Sequence, residues 1–352
     1  MERKPTRSLW RRLLRALALL GLGFVVLGMT TWSALAIYYS NLPVALRPIM
    51  AGAFAVAVLA VFIFVRPGRR ALLVFIVMFA VSVGWWFTIP PSNNRDWKPE
   101  VAVLSSATIN GDEVTIHNVR NLEYRSETDF TPRYYDKTYN LKDLDSVDLI
   151  CVYWGSDAIA HVMVSFGFAG KDYVTFSIET RPEKGESFST IKGFFRQVEL
   201  YYVVADERDV IGVRAKYRNP REQVYIYRTR MPLENERKLL LDYLRKLNEL
   251  AGKPQWYNTL TDNCTTGVLL HTRAYPHRAR YNWKVLLSGY TAQYAYEIGS
   301  LDTSMPFGEL RERCHVNERV EAAGDGDDFS RKIREGVPQP KPATMEEFLS
   351  GK

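Results

Sequence analysis

Three cysteines and five histidines bound the nucleophilic chemistry open to this 352-residue chain. Cys264 stands apart from the other two thiols. It follows Thr261-Asp262-Asn263, a polar turn of the kind that caps a helix. A thiol at a helix N-terminus feels the positive end of the dipole and unpaired backbone N–H groups, which favour the thiolate. The same N–H groups can stabilise an oxyanion. The competing reading is a buried structural cysteine. Cys151 lies in an apolar run and reads as a small core residue, and Cys314 lies in Arg-Glu-Arg-Cys-His, a surface turn or helix end. An odd cysteine count leaves at least one thiol unpaired unless chains pair with one another, and a Cys151–Cys314 disulfide stays open.

A thiolate in acyl transfer needs a base. His271 lies seven residues beyond Cys264, about 10 Å along the same helix axis, and is poorly placed. His117 alternates within a strand, and His277 and His315 sit among arginines in loops. His161 opens the apolar run Val162-Met163-Val164-Ser165-Phe166, where a base at the mouth of a strand can face a helix N-terminus. On its own it reads equally as an ordinary strand-edge residue. A third group should hold the imidazole. If the chain turns near Gly170, Glu179 returns opposite His161. Its other role is a salt bridge to Arg181 or another arginine, and the two roles are compatible. The sequence has no metal-ligand spacing, phosphate loop or Gly-x-Ser-x-Gly, so neither a metal nor a cofactor is expected.

The elements that must position these groups follow from periodicity. Val101–Val119 reads as two strands around the Asn110-Gly111 turn. Further strands are expected at Val147–Trp154, His161–Phe168, Tyr173–Ile178, Glu199–Ala205 and Val224–Tyr227. Pro232 opens an amphipathic helix through Leu250, with Leu239, Leu240, Tyr243, Leu244 and Leu247 on one face. A second helix runs from Cys264 to Ala274. Residues from Ala322 onward read as a polar, mobile tail. Strands and helices mix without regular βαβ alternation, which fits an α+β fold.

Ahead of this region lie three uncharged apolar runs, Ala16–Tyr39, Ile49–Val65 and Ala71–Ile89. Each is long enough to cross a hydrocarbon core of about 30 Å. The first is too long for a signal-peptide core, and two more follow it. The chain's net charge of +7 is concentrated here. Residues 1–15 carry six basic side chains and one acid, and Arg47, Arg66, Arg69 and Arg70 add four more positive charges. Residues 91–352 are therefore slightly acidic, which argues against a nucleic-acid partner. The basic tail and the Arg66–Arg70 turn belong on the cytoplasmic side. The chain then leaves the third span outward, with Trp85 and Trp86 at the level of an interfacial aromatic belt.

Several stretches resemble one known family, the Lnb N-terminal periplasmic domain. They are Asn118–Arg125, Ala160–Phe166, Ser177–Arg181, Ala205–Asp209 and, most specifically, Tyr257-Asn-Thr-Leu-Thr-Asp-Asn-Cys-Thr-Thr266. That family is similar to papain-like enzymes of the permuted NlpC and lecithin–retinol acyltransferase type, in which histidine precedes a polar residue and cysteine comes last. The resemblance implies Cys264 as nucleophile, His161 as base and Glu179 as orienter. It also makes Asn258, Asn263 and Arg181 candidates for substrate binding. By the same likeness, the activity would be intramolecular transfer of an acyl chain from a lipoprotein's glycerol to its N-terminal amine.

The expected architecture is a basic cytoplasmic tail (1–15), three transmembrane helices (16–89), a linker (90–100), a permuted papain-like domain (101–335) and a polar tail (336–352). The expected setting is a bacterial inner membrane, with the lipid bilayer as partner and the large domain in the periplasm. The first functional expectation is cysteine-dependent acyl transfer on lipoproteins or lipids. The alternatives are an amidase or peptidase acting on cell-wall peptides, and a non-catalytic envelope binding protein.

Overall fold

The computed structural model describes residues 7–186 and 189–350. Residues 1–6 of the expected basic tail lie outside them. The chain divides into two units: residues 1–91 with 191–197, and residues 92–190 with 198–352.

The first unit holds three long helices, α1 (Arg7–Tyr38), α2 (Leu46–Phe64) and α3 (Gly68–Thr88). All three are long and apolar enough to cross a membrane. Most of their large apolar side chains point outward, including Leu20, Phe24, Val56, Phe64 and Val81, as lipid-facing residues must. Inside, the Ser82 hydroxyl donates to Ser33 Oγ at 2.7 Å, satisfying two polar groups that hydrocarbon would leave unpaired. Residues 191–197 pack on this unit. Phe195 stacks on Tyr39, and the Arg196 guanidinium covers Trp86 and Phe87 while donating to the Phe87 carbonyl.

The second unit is built on an eight-stranded sheet. Its strands are β1 (Ser106–Asn110), β2 (Glu113–Arg120), β3 (Tyr134–Asn140), β4 (Leu144–Tyr153), β5 (Ala160–Phe168), β6 (Asp172–Arg181), β7 (Glu199–Ala205) and β8 (Gln223–Arg228). The order is β1-β2-β7-β6-β5-β4-β8, with β3 also paired to β2. Gly111 lies at φ 63, as the tight β1–β2 turn requires. At the β5–β6 turn, Ala169 and Gly170 both take positive φ and the Lys171 amide donates to the Phe168 carbonyl. The three-residue loop Ala169–Lys171 sets the register, pairing Phe168 with Asp172 and Met163 with Ser177.

Alternation along the central strands feeds two cores. Val164, Phe166, Phe176, Ile178, Tyr202 and Val204 face helix α4 (Leu233–Gly252), whose Leu239, Leu240, Tyr243, Leu244, Leu247 and Leu250 form one buried stripe. Met163, Tyr201 and Val203 enter the other core, with Leu310, Val320, Phe329 and Ile333. Those last residues come from the C-terminal helices. Residues 322–350, expected as a mobile polar tail, are therefore packed, with Val337 and Phe348 also buried. Arg334 pins this segment: its guanidinium binds Glu207 and Asp148, both buried, and Glu207 also accepts from Ser165.

Candidate functional site

Helix α5 (Cys264–His271) begins at an Asn263 cap. Asn263 Oδ1 accepts the amides of Thr265 and Thr266 at 2.9 Å each, and Thr266 Oγ1 accepts the Asn263 amide in return. The Gly267 amide donates to the Asn263 carbonyl. The Cys264 amide, first in the helix, has no intrahelical acceptor. Gly267 lets the helix approach β6 closely, because a Cβ there would lie 2.5 Å from Ile178 Cδ1.

This head of α5 meets the start of β5. The Cys264 thiol lies beside the His161 imidazole and the backbone of Val162, near enough that both shift its titration, and Thr265 Oγ1 lies 3.8 Å from the sulfur. On the ring's other side, His161 Nε2 is 2.6 Å from Ser177 Oγ, and Ser177 donates to Glu179 Oε1 at 2.7 Å. Glu179 Oε1 is 3.5 Å from Nε2, so the serine is the closer link. Ser177 and Glu179 are two apart on β6 and share a face. Continuing the register beyond Met163–Ser177 brings His161 opposite Glu179. The Arg214 guanidinium donates to Glu179 Oε1 at 3.0 Å and to the Val210 carbonyl at 2.8 Å. Arg214 belongs to a π-helical turn, Val213–Tyr217, that follows β7. With Nε2–H donating to Ser177 and Ser177 to the carboxylate, Nδ1 is left to address the thiol; this tautomer follows from the hydrogen-bond network.

The electrostatics favour an ion pair. Burial alone would hold the Cys264 thiol neutral, but the adjacent imidazolium and the bonds from His161, Val162 and Thr265 bring it below its usual value. Burial likewise disfavours the imidazolium, yet the Cys264 thiolate and Glu179 raise His161 to about 9. Against its own burial, Glu179 is held well below the usual carboxylate range by His161 and Arg214. Tyr257 lies near both anions, and burial together with the charges of Cys264 and Glu179 pushes its phenol up.

Cys264, His161 and Glu179 are thus brought together. The other three candidates are differently engaged. Asn263 uses both side-chain ends, Oδ1 with the capped amides and one Nδ2–H with the Thr259 carbonyl at 2.7 Å, and so shapes the loop. Asn258 Oδ1 accepts the Leu260 and Thr261 amides and folds the approach to the helix. Arg181 is buried, donates to the carbonyls of Val101 and Ala102, and lies over Trp97 and Tyr201. It braces the strand. Cys151 and Cys314 are buried and unbridged, so the disulfide left open by the sequence is not formed. Ser177 and Arg214 escaped the sequence reading. Strand alternation from Glu179 could have found Ser177, whereas nothing local marks Arg214.

The family-like stretches also carry structural ion pairs. Arg120 binds Asp209 through two bonds of 2.9 and 2.8 Å, and Asp209 also accepts the Leu122 amide. Among the described residues no group of histidine, cysteine and acidic side chains is arranged to hold a metal.

A membrane-associated chain with a mixed α/β domain and a thiol–imidazole pair at a helix head is the class these features define. Residues 130–291 match the model of the Lnb N-terminal periplasmic domain, which likens this part of the chain to extracytoplasmic domains. No curated protein and no solved structure matched the chain.

Proposed function

We propose that the second unit is a cysteine-dependent acyl-transfer enzyme, with Cys264 as nucleophile, His161 as base and acid, and Ser177, Glu179 and Arg214 as positioning residues. The observation that carries this reading is the contact between a thiol at a helix head and an imidazole whose far nitrogen is held by a serine–carboxylate–guanidinium chain. The papain-like resemblance of the sequence supports this reading, with histidine, polar residue and cysteine in the same order.

The chemistry runs in two steps. The Cys264 thiolate attacks the acyl carbonyl carbon, and the carbonyl oxygen becomes an oxyanion facing the Cys264 amide. The imidazolium of His161 gives its proton to the departing alcohol oxygen as the carbon–oxygen bond breaks. The acyl group is then a thioester on Cys264. An amine or water attacks it, His161 takes the proton, and the thiolate departs as the carbon–sulfur bond breaks. Glu179, held by Arg214, stabilises the imidazolium through Ser177.

The three apolar helices confine this chemistry to a membrane, which suits lipids or lipoproteins as acyl donors. We place the N-terminus in the cytoplasm of a bacterial inner membrane and the second unit in the periplasm, on the distribution of arginines described above. The test is mass spectrometry of the full chain incubated with p-nitrophenyl acyl esters. Wild type should gain one acyl adduct on Cys264 and Cys264→Ala none. An adduct that survives Cys264→Ala, or lipoprotein acylation unchanged in cells carrying that variant, would reject the reading.

A further inference from the structure

Behind the nucleophile helix, between α5, the sheet face of β4 and β5, and helix α6 (Thr291–Glu297), lies a cavity of about 110 Å³, partly open to solvent. Its wall is hydrocarbon over most of its extent and includes Leu149, Val164, Val268, Leu269, Val285 and Leu301. Two charged residues reach it, Asp148, which is paired, and Arg278, whose guanidinium keeps its charge. Asp148 is bound by Arg228 and Arg334, and Arg278 donates to the Ile298 carbonyl. Three wall atoms lack a partner: the hydroxyls of Thr229 and Thr291 and Nδ1 of His277. These neutral groups can each take a water and recognise no ion.

The cavity follows one stripe of the helix. Thr265, Val268, Leu269 and Thr272 are spaced three and four apart and all line it, over about 10 Å of helix axis. Its near end is Thr265, the residue whose hydroxyl lies 3.8 Å from the Cys264 sulfur. One side chain therefore touches both the thiol and the cavity. A chain whose first carbon is bonded to that sulfur can continue past Thr265 along the helix beside Val268 and Leu269.

We propose that this cavity is the subsite for a single unbranched hydrocarbon chain linked to Cys264, running along α5 from Thr265 to Thr272 between the helix and the sheet. That the chain is an acyl group rests on the acyl-transfer reading; the apolar lining stands without it. A peptide would leave its backbone amides unpaired against this wall.

The full-length protein in lipid nanodiscs, photolabelled with dodecanoic acid carrying a terminal diazirine, tests the location independently of any chemistry at the thiol. Mapped adducts should fall on Val268–Thr272 and on Ala295–Ile298. Ala295→Trp, which fills the cavity, should lower them tenfold or more. Leu269→Ala, which enlarges it, should retain labelling and shift the preferred p-nitrophenyl ester to a longer chain, an effect a folding defect would not produce. Adducts confined to the membrane helices, or labelling unchanged in a folded Ala295→Trp protein, would overturn the proposal. Adducts on α5 with no thioester from any ester would overturn the link to Cys264 together with the enzymatic reading, and leave α5 as the wall of a non-covalent apolar site.

Discussion

The two ends of helix α5 each hold an imidazole beside a carboxylate, and the two have opposite fates. At the head, His161 faces a thiol and is partly exposed, and its proton is held to about 9. At the foot, His271 is buried, with Nδ1 2.7 Å from Asp242 and Nε2 2.8 Å from the Tyr202 hydroxyl, and it stacks on Tyr243. There burial outweighs Asp242 and lowers the imidazole's affinity for a proton. Both histidines have an acid nearby, so a carboxylate alone does not make a base. The difference is a second anion, the Cys264 thiolate, at the head, and a neutral phenol at the foot. The thiols repeat the lesson. Cys151 and Cys314 lack an imidazolium, and burial pushes both up, Cys314 to about 12.

Changes at either end should keep these roles apart. The largest effect belongs to the head. His161→Gln should slow acylation of Cys264 by about 10²–10⁴-fold, the range for loss of a general acid–base group, read from the rate of adduct formation. A rate within a few-fold of wild type would remove His161 from the chemistry. Glu179→Gln comes next. With the carboxylate gone, the imidazolium loses its stabilising charge, so the alkaline limb of the pH–rate profile should move below about 9 while activity at lower pH is reduced less. The sign follows from the shift: a raised imidazole stays protonated below its folded value and loses its proton as pH climbs through it. The smallest effect on chemistry belongs to the foot. His271→Asn should destabilise the domain by about 1–3 kcal/mol, through the unpaired Asp242 and Tyr202, and leave the alkylation profile of Cys264 in place. Because the His271 imidazole is depressed, it opposes stability as pH falls below its unfolded value, and that acid-side loss in thermal stability should shrink in the variant.

How far the sequence revealed this arrangement depends on how local each signal is. The Asn263 cap, the Asn110-Gly111 turn and the stripe on α4 are encoded within a few residues, and the structure has each. The turn at Ala169-Gly170 carries the register, so the approach of Glu179 to His161 could be anticipated. Strand alternation puts Ser177 on the face of Glu179, but its bridge to His161 follows only from the atomic spacing between strands. Arg214 arrives from a separate turn after β7. Strand β3, Tyr134–Asn140, has no apolar alternation to mark it, because Asp136, Lys137, Thr138 and Asn140 surround its tyrosines. The C-terminal helices escaped notice because Phe329, Ile333, Val337 and Phe348 are isolated among charges, and only the fold gathers them into the core. Arg196 and Phe195 likewise lie far in sequence from the aromatic helix ends they cover.

The central claim is that Cys264 is a thiolate because His161 is an imidazolium. It is tested most directly by the pH dependence of Cys264 alkylation with iodoacetamide, followed by peptide mass spectrometry in wild type and His161→Gln. The account predicts a wild-type thiol that titrates below its ordinary value and moves up when the imidazole is removed, with Cys151 and Cys314 unreactive in both. Identical titration of Cys264 in the two proteins would contradict it.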